Sequence, residues 1–409
     1  MKIAYLMQNG APDLSIPSGP QLHTATIIKG LLNLGHQVRT VAIQKNKLLY
    51  SDDLKSWRIA QSGITQTKGF RLLESILRRM QSDFQLPYFD LFNSLHFADA
   101  CTQLLKNCDI LYERHGYLGY GGVITARLLG VPLVLEINGN ILNEIDEIGV
   151  EMSSTQRSLG RWITHRTWLA ATHIIAVSET LKKNLTSKVG IPAGRISVVL
   201  NGVNVDLFSQ FFDEQQIRGQ YDIGPGPVIV FVGSFQPWHG VELLVSSFSL
   251  VRSSFPDAQL IIVGDGESRN NIASRISKMN LGQCVKMTGR LPQEQVAAVL
   301  SIAEIAVAPY PYEHSDIVGT PLKLLEYMAA GKAIVATTAP IHEIITDGVT
   351  GLRIAPASRV ALAHGMTSLL GNKVLRNSLG DNARLEAHQH HSWDQAVGRI
   401  NEIITTVQN

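Results

Sequence analysis

The amino-acid sequence predicts an α/β protein with two doubly wound, Rossmann-like domains in tandem. Short apolar runs rich in β-branched residues alternate with longer segments of helical periodicity, which is typical of parallel strands joined by crossover helices. The alternation occurs in the first half of the chain and again after the turn-forming segment Gly224-Pro225-Gly226-Pro227. The length of 409 residues accommodates two domains of the usual ~100–200 residues.

The first half contains short apolar runs that we predict to be strands: Ile3–Met7, Val38–Ile43, Ile110–Tyr112, Leu133–Ile137, Ile174–Val177 and Ser197–Leu200. Helices are predicted at Leu22–Leu34, which Gly35 ends, and at Leu91–Leu105, where apolar residues recur at intervals of three and four. Residues 45–79 fit neither pattern and stay unassigned.

The second half repeats the alternation. Strands are predicted at Val228–Val232, Gln259–Val263, Val285–Thr288, Ile305–Ala308 and Ala333–Ala336. The segments between and after them have helical periodicity at Val241–Arg252, Glu267–Met279, Gln293–Ile302 and Leu322–Ala330. We therefore expect a second α/β domain similar to the first, and a ligand site in the cleft between the two.

Composition and charge exclude several classes of protein. Hydrophobic residues make up 45% and charged residues 17% of the chain, which excludes a largely disordered protein. A net charge of +2 gives no general reason to expect a nucleic-acid partner.

The cysteines and the first residues bear on the compartment. Cys101, Cys108 and Cys284 have no zinc-site or disulfide-framework spacing, which favours a reducing compartment. The apolar stretch Met1–Met7 is too short for a signal peptide, so we expect a cytoplasmic chain without a membrane span.

The sequence lacks several common catalytic and binding motifs. The first strand leads into a loop, Gln8–Pro20, rather than into the glycine-rich turn of dinucleotide-binding domains. We find no P-loop, no Gly-x-Ser-x-Gly elbow, no His-Glu-x-x-His helix and no Asp-x-Asp pair, and therefore expect neither metal nor cofactor. The loop ends in Ser18-Gly19-Pro20 before a helix, where backbone N–H groups favour an anion; an ordinary surface connection is the alternative.

Two glycine-containing turns follow strands of the second half. The run Gly233–Gly240 precedes a helix and includes His239, which we expect to donate to a phosphate oxygen, although a structural hydrogen bond in the loop is an equal alternative. Gly264-Asp265-Gly266 follows the next strand. Both turns lie at carboxyl ends of strands, where open α/β sheets bind ligands.

A predicted helix near residue 321 carries an acid and a base on one face. Lys323 and Glu326 are three residues apart, and Pro321 suits the first turn of the helix. For this pair alone, a surface salt bridge is the favoured interpretation. Backbone donors at Thr320 and its neighbours, however, suit a diphosphate and favour a binding site.

The order of these segments resembles that of family 4 retaining glycosyltransferases of the GT-B fold, over nearly the whole chain. The most specific parts are Ile174–Glu179, Ile196–Phe208, Phe231–Ser234, Val263–Gly266, Thr288–Arg290 and Ala308–Tyr310. The resemblance extends to a branch of the family with Trp238-His239-Gly240 in the donor loop. A chance match of all these segments in this order is improbable.

The resemblance implies a division of labour between the domains. Residues 1–205 would bind the acceptor, and residues 206–391 would bind a nucleotide-diphosphate sugar as co-substrate. A C-terminal helix, 392–409, would cross back onto the first domain after Ser392-Trp393-Asp394. Closure of the cleft would exclude water from the donor during sugar transfer.

The resemblance also implies roles for individual donor-side residues. Glu326 matches the second glutamate of the family's Glu-x7-Glu motif, which hydrogen-bonds the ribose, whereas Val318 stands where the first glutamate is expected. The family's two cations beside the diphosphate fall at Ser234 and His239, so Lys323 or Arg290 is expected to supply the charge. The full donor set implied is Gly233, Ser234, His239, Gly264, Gly266, Arg290, Thr320, Pro321, Leu322, Lys323 and Glu326.

The first domain also departs from the usual pattern. Asn138 stands where the family has a histidine, after Leu135-Glu136-Ile137, and Tyr112-Glu113-Arg114 lies upstream as in one branch of the family. Glu136 and Asn138, with His239, are the catalytic residues implied, while bracing of the strand end is the alternative for Glu136. The acceptor-side residues expected are Gly19, Pro20, His23 and His115.

Residues 45–79 carry a local excess of positive charge. Three acidic residues, Asp52, Asp53 and Glu74, stand against eight basic ones: Lys45, Lys47, Lys55, Arg58, Lys68, Arg71, Arg78 and Arg79. Apolar residues are interleaved with them: Trp57, Phe70, Leu72, Leu73, Ile76 and Leu77. The segment predicts either a peripheral contact with an anionic membrane or, as the favoured interpretation, a solvated face with an apolar stripe packed on the core.

Together, these observations predict a metal-independent, retaining glycosyltransferase that uses a UDP- or GDP-linked sugar and a small-molecule or lipid-linked hydroxyl acceptor. A noncatalytic nucleotide-sugar-binding protein is one alternative, because both diphosphate cations are displaced. A sugar-nucleotide epimerase of the same fold is another.

Overall fold

The structure, a computed structural model, describes residues 1–8, 14, 18–44, 47–83, 91–139, 153–311, 321–337 and 343–409. The chain divides into two units, the first comprising Met1–Leu200 with Val397–Asn409 and the second comprising Asn201–Ala396. Each unit contains one β-sheet and its own helices. This arrangement confirms the predicted α/β class with two Rossmann-like domains.

Eight described strands form the sheet of the first unit. They are β1 (Lys2–Met7), β2 (Gln37–Gln44), β3 (Lys47–Ser51), β4 (Arg58–Ile59), β5 (Ile110–Arg114), β6 (Leu133–Ile137), β7 (His173–Ala176) and β8 (Ile196–Val198). Their order is β4-β3-β2-β1-β5-β6-β7-β8. The six predicted strands pair in parallel, and their bounds differ from those expected by at most two residues, because most of them are buried apolar runs.

The unassigned segment forms the edge of this sheet and one long helix. Strands β3 and β4 pair antiparallel, β3 with β2 and β4 with β3. The helix, α2, follows at Lys68–Asp83. Short edge strands with charged residues such as Lys47 and Arg58 carry little hydrophobic periodicity, which explains why the sequence pattern did not predict them.

The other helices of the first unit connect the strands. They are α1 (Gly19–Asn33), α3 (Phe92–Leu104), α4 (Gly121–Leu129), α5 (Ser154–Ala170) and α6 (Glu179–Asn184). Helices α3 and α4 pack against each other, and α1 packs against β2.

The second unit contains a sheet of six described strands, all parallel. Its strands are β9 (Val228–Val232), β10 (Gln259–Val263), β11 (Val285–Gly289), β12 (Ile305–Ala308), β13 (Ala333–Thr337) and β14 (Leu352–Ile354), in the order β11-β10-β9-β12-β13-β14. The helices are α7 (Val205–Phe208), α8 (Glu214–Gln220), α9 (Val241–Ser254), α10 (Arg269–Lys278), α11 (Gln293–Ser301), α12 (Leu322–Ala329), α13 (Arg359–Gly371) and α14 (Lys373–His390).

The boundary between the units lies before Asn201, earlier than the expected boundary after residue 205. Val203 donates its N–H to the carbonyl of His391 at 2.8 Å, and Trp393 donates its N–H to the carbonyl of Val203 at 3.2 Å. Gly202 packs directly on the backbone of Trp393. These contacts join residues 201–205 to the second unit.

The last helix, α15 (Trp393–Gln408), begins in the second unit and ends in the first. Its residue Val397 packs against Gly30 of α1, and Asn401 Oδ1 lies 2.7 Å from His36 Nε2. The part from Val397 onward therefore completes the first unit. Among the described helices, none combines the length and apolarity needed to cross a bilayer.

Candidate functional site

The carboxyl ends of β9 and β10 meet in the second unit and bring the two glycine-containing turns together. Gly233 donates its N–H to the carbonyl of Val263 at 3.0 Å, and Phe235 donates to the carbonyl of Asp265 at 3.0 Å. Gly266 lies directly against the backbone of Phe235. The turns that contain the predicted residues Gly233, Ser234, Gly264 and Gly266 therefore form one continuous surface.

Two positions in this surface require glycine. Gly264 has φ +137°, and a Cβ there would overlap the carbonyl oxygen of Gly233. Gly240 has φ +67°, and a Cβ there would overlap the carbonyl oxygen of Pro309. Because L side chains rarely adopt these angles, the chain keeps both turns close to neighbouring backbone only with glycine.

His239 is half-buried at the end of a short 3-10 turn, Pro237–His239. Its Nδ1 lies 2.6 Å from the carbonyl oxygen of Ser234, so Nδ1 carries the proton and donates to that oxygen. Burial, assisted by the charge of Lys323, lowers the pKa of His239 to about 3. The neutral ring leaves Nε2 as an acceptor, so donation to a phosphate requires prior protonation of His239.

Helix α12 contributes the charged residues of this site. Lys323 and Glu326 are 8% and 9% exposed, so neither lies on the protein surface. The hydroxyl of Tyr327, on the same helix, accepts the N–H of Val232 at 2.8 Å and ties the helix to the end of β9. The sequence pattern did not single out Tyr327. Tyr327 is far from Val232 in the sequence, so no local pattern indicates their contact.

Lys323 is a buried cation whose Nζ has no hydrogen-bond partner within the described part of the chain. Nζ lies 4.7 Å from the ring centre of Phe231 and 5.2 Å from that of Tyr310. It also lies 2.7 Å from the place that a Cβ on Gly233 would occupy, so it points at the glycine turn. Burial lowers the pKa of Lys323 to about 7, although nearby Glu326 opposes the shift.

Glu326 is held by Gln293 of α11, whose Nε2 lies 3.4 Å from Glu326 Oε1. Burial raises the pKa of Glu326 to about 7, against the lowering effects of Gln293 and Lys323. The two charged side chains of α12 form no direct ion pair in the described residues. The expected surface salt bridge is therefore wrong, because one residue faces aromatic rings and the other faces α11.

The remaining donor-side residues occupy different positions. Pro321 is the N-cap of α12, and the first helical hydrogen bond runs from Leu324 N–H to the carbonyl of Pro321. Leu322 therefore lies in the first turn, where N–H groups precede the helical hydrogen bonds. Arg290 is exposed just after β11. Thr320 and Val318 lie outside the described residues.

This arrangement combines a buried unpartnered cation, a close-packed glycine turn and a buried carboxyl group on one helix. The cation is suited to an anion brought against the glycine turn, since charge-assisted hydrogen bonds are strongest where water is excluded. The carboxyl group of Glu326, held by the side-chain amide of Gln293, is suited to accept hydrogen bonds from hydroxyl groups. Phe231, Tyr310 and Gln293 complete the arrangement. Phe231 and Tyr310 lie in segments that carry the family resemblance, whereas no sequence pattern pointed to Gln293.

The first unit contains a second cluster of predicted residues, centred on Glu136 at the end of β6. Glu136 Oε1 lies 3.3 Å from the Arg114 guanidinium and 3.5 Å from His23 Nε2. The Tyr112 hydroxyl and the Asn138 side-chain amide also donate to this carboxylate. The structure therefore brings together Glu136, Asn138 and His23, with Tyr112 and Arg114 as additional partners.

The charge states in this cluster follow from its burial. Burial by itself raises the pKa of Glu136. The positive charges of protonated His23 and of Arg114, together with the donated hydrogen bonds, outweigh it, hold the pKa below its usual value and keep the carboxyl group ionised. Burial lowers the pKa of His23 to about 4, so the imidazole is neutral near pH 7. Glu136 is thus an ionised carboxylate fully engaged by its neighbours, an arrangement that fits bracing of the strand end as well as a catalytic role.

His115 lies apart from the cluster, although its N–H donates to the carbonyl of Glu136 at 2.9 Å. Its ring packs edge-on to Trp168 at 6.0 Å, and its two ring nitrogens have no partner in the described residues. Burial lowers the pKa of His115 to about 3. The ring is therefore a neutral, buried group next to the carboxylate-bearing strand.

Gly19 and Pro20 form the exposed first turn of α1. Ser18 Oγ accepts the N–H of Gln21 at 3.2 Å, and the Ser18 carbonyl accepts that of Leu22 at 2.9 Å. Pro20 has no N–H, so the anion site expected here retains one backbone donor, that of Gly19, in the described part of the helix start. The cap weakens the prediction of an anion site at this position.

A buried acid that sequence reasoning gave no role lies one residue before Arg114. Glu113 is fully buried, and Gln8 donates to its Oε1. Burial raises the pKa of Glu113 to about 8, so the group is mainly neutral near pH 7. Gly122 of α4 packs directly on the Glu113 carboxyl group, which leaves no room for a side chain between them.

Two protein-family models, both of glycosyltransferases, match long segments of the chain. Residues 17–207 match the model described as Glycosyltransferase Family 4. Residues 226–372 match the model described as Glycosyl transferases group 1. The two matches fall on the first and second units, respectively.

Curated relatives and solved structures agree with these matches. The alpha-D-kanosaminyltransferase of Streptomyces kanamyceticus is 26% identical over 289 residues, which cover 68% of this chain and 73% of that protein. The phosphatidyl-myo-inositol mannosyltransferase of Mycobacterium leprae is 29% identical over 237 residues, 57% of this chain and 59% of that protein. The crystal structure of Anabaena HepE in complex with UDP has a TM-score of 0.73 at 18% identity, covering 99% of this chain and 100% of that one. These likenesses show the GT-B fold.

Proposed function

Because the chain belongs to the group 1 and family 4 glycosyltransferases and is an enzyme of that class, we propose that it transfers a sugar from a nucleotide-diphosphate sugar to a hydroxyl group. The donor proposed is UDP- or GDP-linked, and UDP is the first choice. The HepE structures that contain UDP or UDP-glucose support that choice, since their fold covers nearly the whole of this chain.

The observation that carries this proposal is the buried ammonium group of Lys323 beside the turn at Gly233, which has no hydrogen-bond partner among the described residues. A nucleotide diphosphate leaving group needs cationic or N–H stabilisation as its charge develops. Lys323 replaces the cations that the family places at Ser234 and His239. The first-turn N–H groups of α12 add donors at the same helix end.

Glu326 is proposed to accept hydrogen bonds from the ribose hydroxyls of the nucleotide. Gln293 holds the carboxyl group in place, and little of Glu326 is exposed to water. A carboxyl group in such a site recognises a diol by accepting hydrogen bonds from its two hydroxyl groups. His239 is proposed to orient the turn through Ser234 and to contact the diphosphate when protonated.

The first unit is proposed to hold the acceptor, with Glu136 and Asn138 bordering the reacting sugar. In the proposed reaction the bond from the anomeric carbon to the phosphate oxygen breaks, and the bond to the acceptor oxygen forms on the same face. The acceptor proton passes to the leaving phosphate, so neither a metal nor a cofactor is required. His23, His115, Gly19 and Pro20 are the proposed acceptor-side residues.

The acceptor is proposed to be a small molecule or a lipid-linked hydroxyl compound. The phosphatidyl-myo-inositol mannosyltransferase among the relatives carries a lipid in its name, which supports the lipid-linked class. We propose a cytoplasmic location, peripheral at the inner face of a membrane. The three cysteines are unpaired, as is typical of a reducing compartment.

The first experiment is a binding screen of the purified protein against UDP, GDP, ADP and TDP and their sugar conjugates. A ligand that binds the folded state raises the melting temperature, so a shift confined to one nucleotide identifies the donor. Transfer or slow hydrolysis of that donor then supports catalysis. Binding without either reaction supports the noncatalytic alternative, and conversion of the free nucleotide sugar supports an epimerase.

A further inference from the structure

Helix α2 of the first unit turns its charged side toward the protein, whereas an ordinary surface helix turns its apolar side inward. Glu74 lies 2.9 Å from His96 Nε2 of α3, and the Arg78 guanidinium lies over the Phe92 ring at 5.5 Å. Phe70 also contacts the Phe92 ring, at 6.1 Å between ring centres. Residues 70, 74 and 78 therefore form the side that faces the protein, and two of the three are charged.

The opposite side of α2 is apolar and exposed. Five large side chains between 39% and 63% exposed lie there: Leu72, Leu73, Ile76, Leu77 and Met80. At about 100° per residue they occupy one continuous arc of the helix. A surface helix normally buries such an arc against the core, and none of the 16 residues of α2 is buried. The expected packing of this stripe on the core is therefore wrong.

Basic side chains border the apolar arc. Lys68, Arg71 and Arg79 are exposed on α2, and Arg79 makes only a long, exposed ion pair with Asp83, at 3.8 Å. Glu74 is already paired with Arg78 and His96. The exposed charge along the arc is therefore predominantly positive.

Exposed apolar and basic residues also lie before α2 in the sequence. Ile64, 71% exposed, lies in the 3-10 turn that leads into α2, and Ile59, 69% exposed, lies on the edge strand β4. Arg58, on the same strand, and Lys55, before it, are also exposed. Exposed apolar and basic side chains thus occur on the edge strand and in the turn before α2 as well as on the helix.

We propose that this face of α2 binds the surface of an anionic lipid bilayer. The apolar arc would enter the boundary between head groups and acyl chains, and the flanking cations would contact lipid phosphates. With 16 residues, the helix is about 24 Å long and lies in the interface rather than crossing the bilayer. The positive flanks favour a lipid surface over a second copy of the chain, whose face would carry the same charge.

This binding concerns the first unit and does not depend on the transfer reaction. A bilayer-bound enzyme would meet lipid-linked acceptors at the membrane surface, while its nucleotide substrate would arrive from the aqueous phase. The test therefore measures lipid binding directly and needs no enzymatic readout. Failure of the test leaves the proposed transferase function intact.

The test is cosedimentation of the full-length protein with vesicles. One set contains phosphatidylcholine alone, and the other contains equal parts of phosphatidylcholine and phosphatidylglycerol. We expect strong binding to the anionic vesicles, weak binding to the neutral ones, and loss of the difference at high salt. Equal binding to both sets, or no binding to either, overturns the proposal.

Two double variants separate the contributions of the arc and of its flanks. One variant changes the arc, with Ile76→Ser and Met80→Ser, and the other changes the basic border, with Lys68→Glu and Arg79→Glu. We expect each variant to bind anionic vesicles at least about tenfold more weakly than the wild type. Leu385→Ser with Lys278→Glu, exposed residues of the second unit, is the matched control and keeps full binding. All changes are at exposed positions, so the melting temperature should move little.

Sedimentation equilibrium tests the competing occupant. The protein is expected to behave as the same species with and without Ile76→Ser and Met80→Ser. A dimer that dissociates in this variant, together with unchanged vesicle binding, would assign the face to a second copy and overturn the proposal.

Discussion

The ammonium group of Lys323 lies 4.7 Å from the ring centre of Phe231, a residue almost a hundred positions earlier in the chain. This cation–π contact, with a second from Tyr310, takes the place of hydrogen bonds to oxygen. Aromatic rings stabilise a buried cation less than an anion would. Lys323 is therefore held in position with unused capacity for a negatively charged ligand.

Lys323→Met should separate binding from stability. Loss of the cation is expected to weaken nucleotide-diphosphate binding by about 1.5–3 kcal/mol, or roughly ten- to hundredfold, measured by calorimetry. The melting temperature should stay the same or rise, because methionine removes a buried charge that has no hydrogen bond within the part of the chain that the structure describes.

Lys332→Met is the matched comparison for that variant. Lys332 Nζ donates to the carbonyls of Ser301 at 2.8 Å and Ala303 at 3.1 Å. Its loss should lower stability by about 1–3 kcal/mol and leave nucleotide affinity unchanged. If Lys323→Met destabilises the protein as much and still binds nucleotide normally, Lys323 has a structural role only.

Glu326→Ala should weaken nucleotide binding by more than about tenfold, or 1.4 kcal/mol, because a buried hydroxyl acceptor is lost. Calorimetry with the nucleotide identified in the binding screen measures the effect. Glu214→Ala, at an exposed residue of α8 paired with Arg218, is the control and should bind normally. Unchanged affinity in Glu326→Ala would remove the ribose assignment.

Donor binding should depend on pH through Lys323. Its pKa is lowered to about 7, so the ammonium form is lost as pH rises above that value. Affinity for UDP-glucose, whose diphosphate diester does not titrate here, is expected to fall by up to about tenfold per pH unit above 7. Lys323→Met should bind weakly with little pH dependence, and an equally steep profile in that variant would assign the titration to another group.

Lys323 and Glu326 should both affect how the free energy of unfolding depends on pH. The lowered pKa of Lys323 means that the folded state binds fewer protons than the unfolded state between about 7 and 10.5, so stability rises with pH in that window. The raised pKa of Glu326 means the reverse between 4.5 and about 7, so stability falls with pH there. The contribution of the pair is therefore lowest near pH 7. Melting of the wild type minus that of Lys323→Met with Glu326→Gln should show this minimum, and a flat difference would contradict it.

Gly240→Ala should disrupt the turn before α9. A Cβ would overlap the Pro309 carbonyl at φ +67°, so a loss of about 1–3 kcal/mol from backbone strain alone is expected, with further loss from the overlap. Gly282→Ala, where a Cβ meets nothing within 4 Å, is the control and should melt within a few degrees of wild type. Chemical denaturation of both variants measures the difference, and equal stability would show that the turn can relax.

A double-mutant cycle at Arg114 and Glu136 should show coupling in the first unit. Their side chains are 3.3 Å apart and 16% and 1% exposed. Glu136→Gln and Arg114→Met should each destabilise the protein, and the double variant should lose less than the sum, with a coupling of about 0.5–3 kcal/mol. Additive losses would mean that the pair does not interact and that Glu136 is held by Tyr112, His23 and Asn138 instead.

Most of the parallel strands could be predicted closely because they are buried runs of branched apolar residues. The parallel strand β14, Leu352–Ile354, is only half-buried and was not predicted. Val228–Val232 and Ile305–Ala308 have the predicted bounds and are entirely buried. Burial on both faces of a parallel sheet leaves this signal in the sequence itself. The same holds for Gln259–Val263, at which the second glycine turn begins.

Helix α2 shows why other parts could not be predicted. Its apolar residues recur with the periodicity of an amphipathic helix, but this periodicity does not determine which side of the helix faces the protein. The contacts of Glu74 and Arg78 with α3 decide that, and they depend on residues more than ten positions away. The usual rule that the apolar side faces inward therefore gave the wrong orientation.

The candidate site was predictable in its residue types and less so in its chemistry. Lys323 and Glu326 were found from their spacing, but the environment that separates them comes from Phe231, Tyr310 and Gln293. Those partners lie on other elements, so no local pattern reveals them. The neutral state of His239 similarly follows from its contact with the Ser234 carbonyl and from burial.

The path of α15 sets an order for folding during synthesis. The second unit is continuous in sequence from Asn201 to Ala396, whereas the first lacks its final segment until Val397–Asn409 has left the ribosome. Until then, Gly30 and His36 are without their contacts with Val397 and Asn401. The unit that is translated first thus cannot complete its packing until the last residues of the given sequence have been made, and part of its α1 surface is uncovered on every nascent chain.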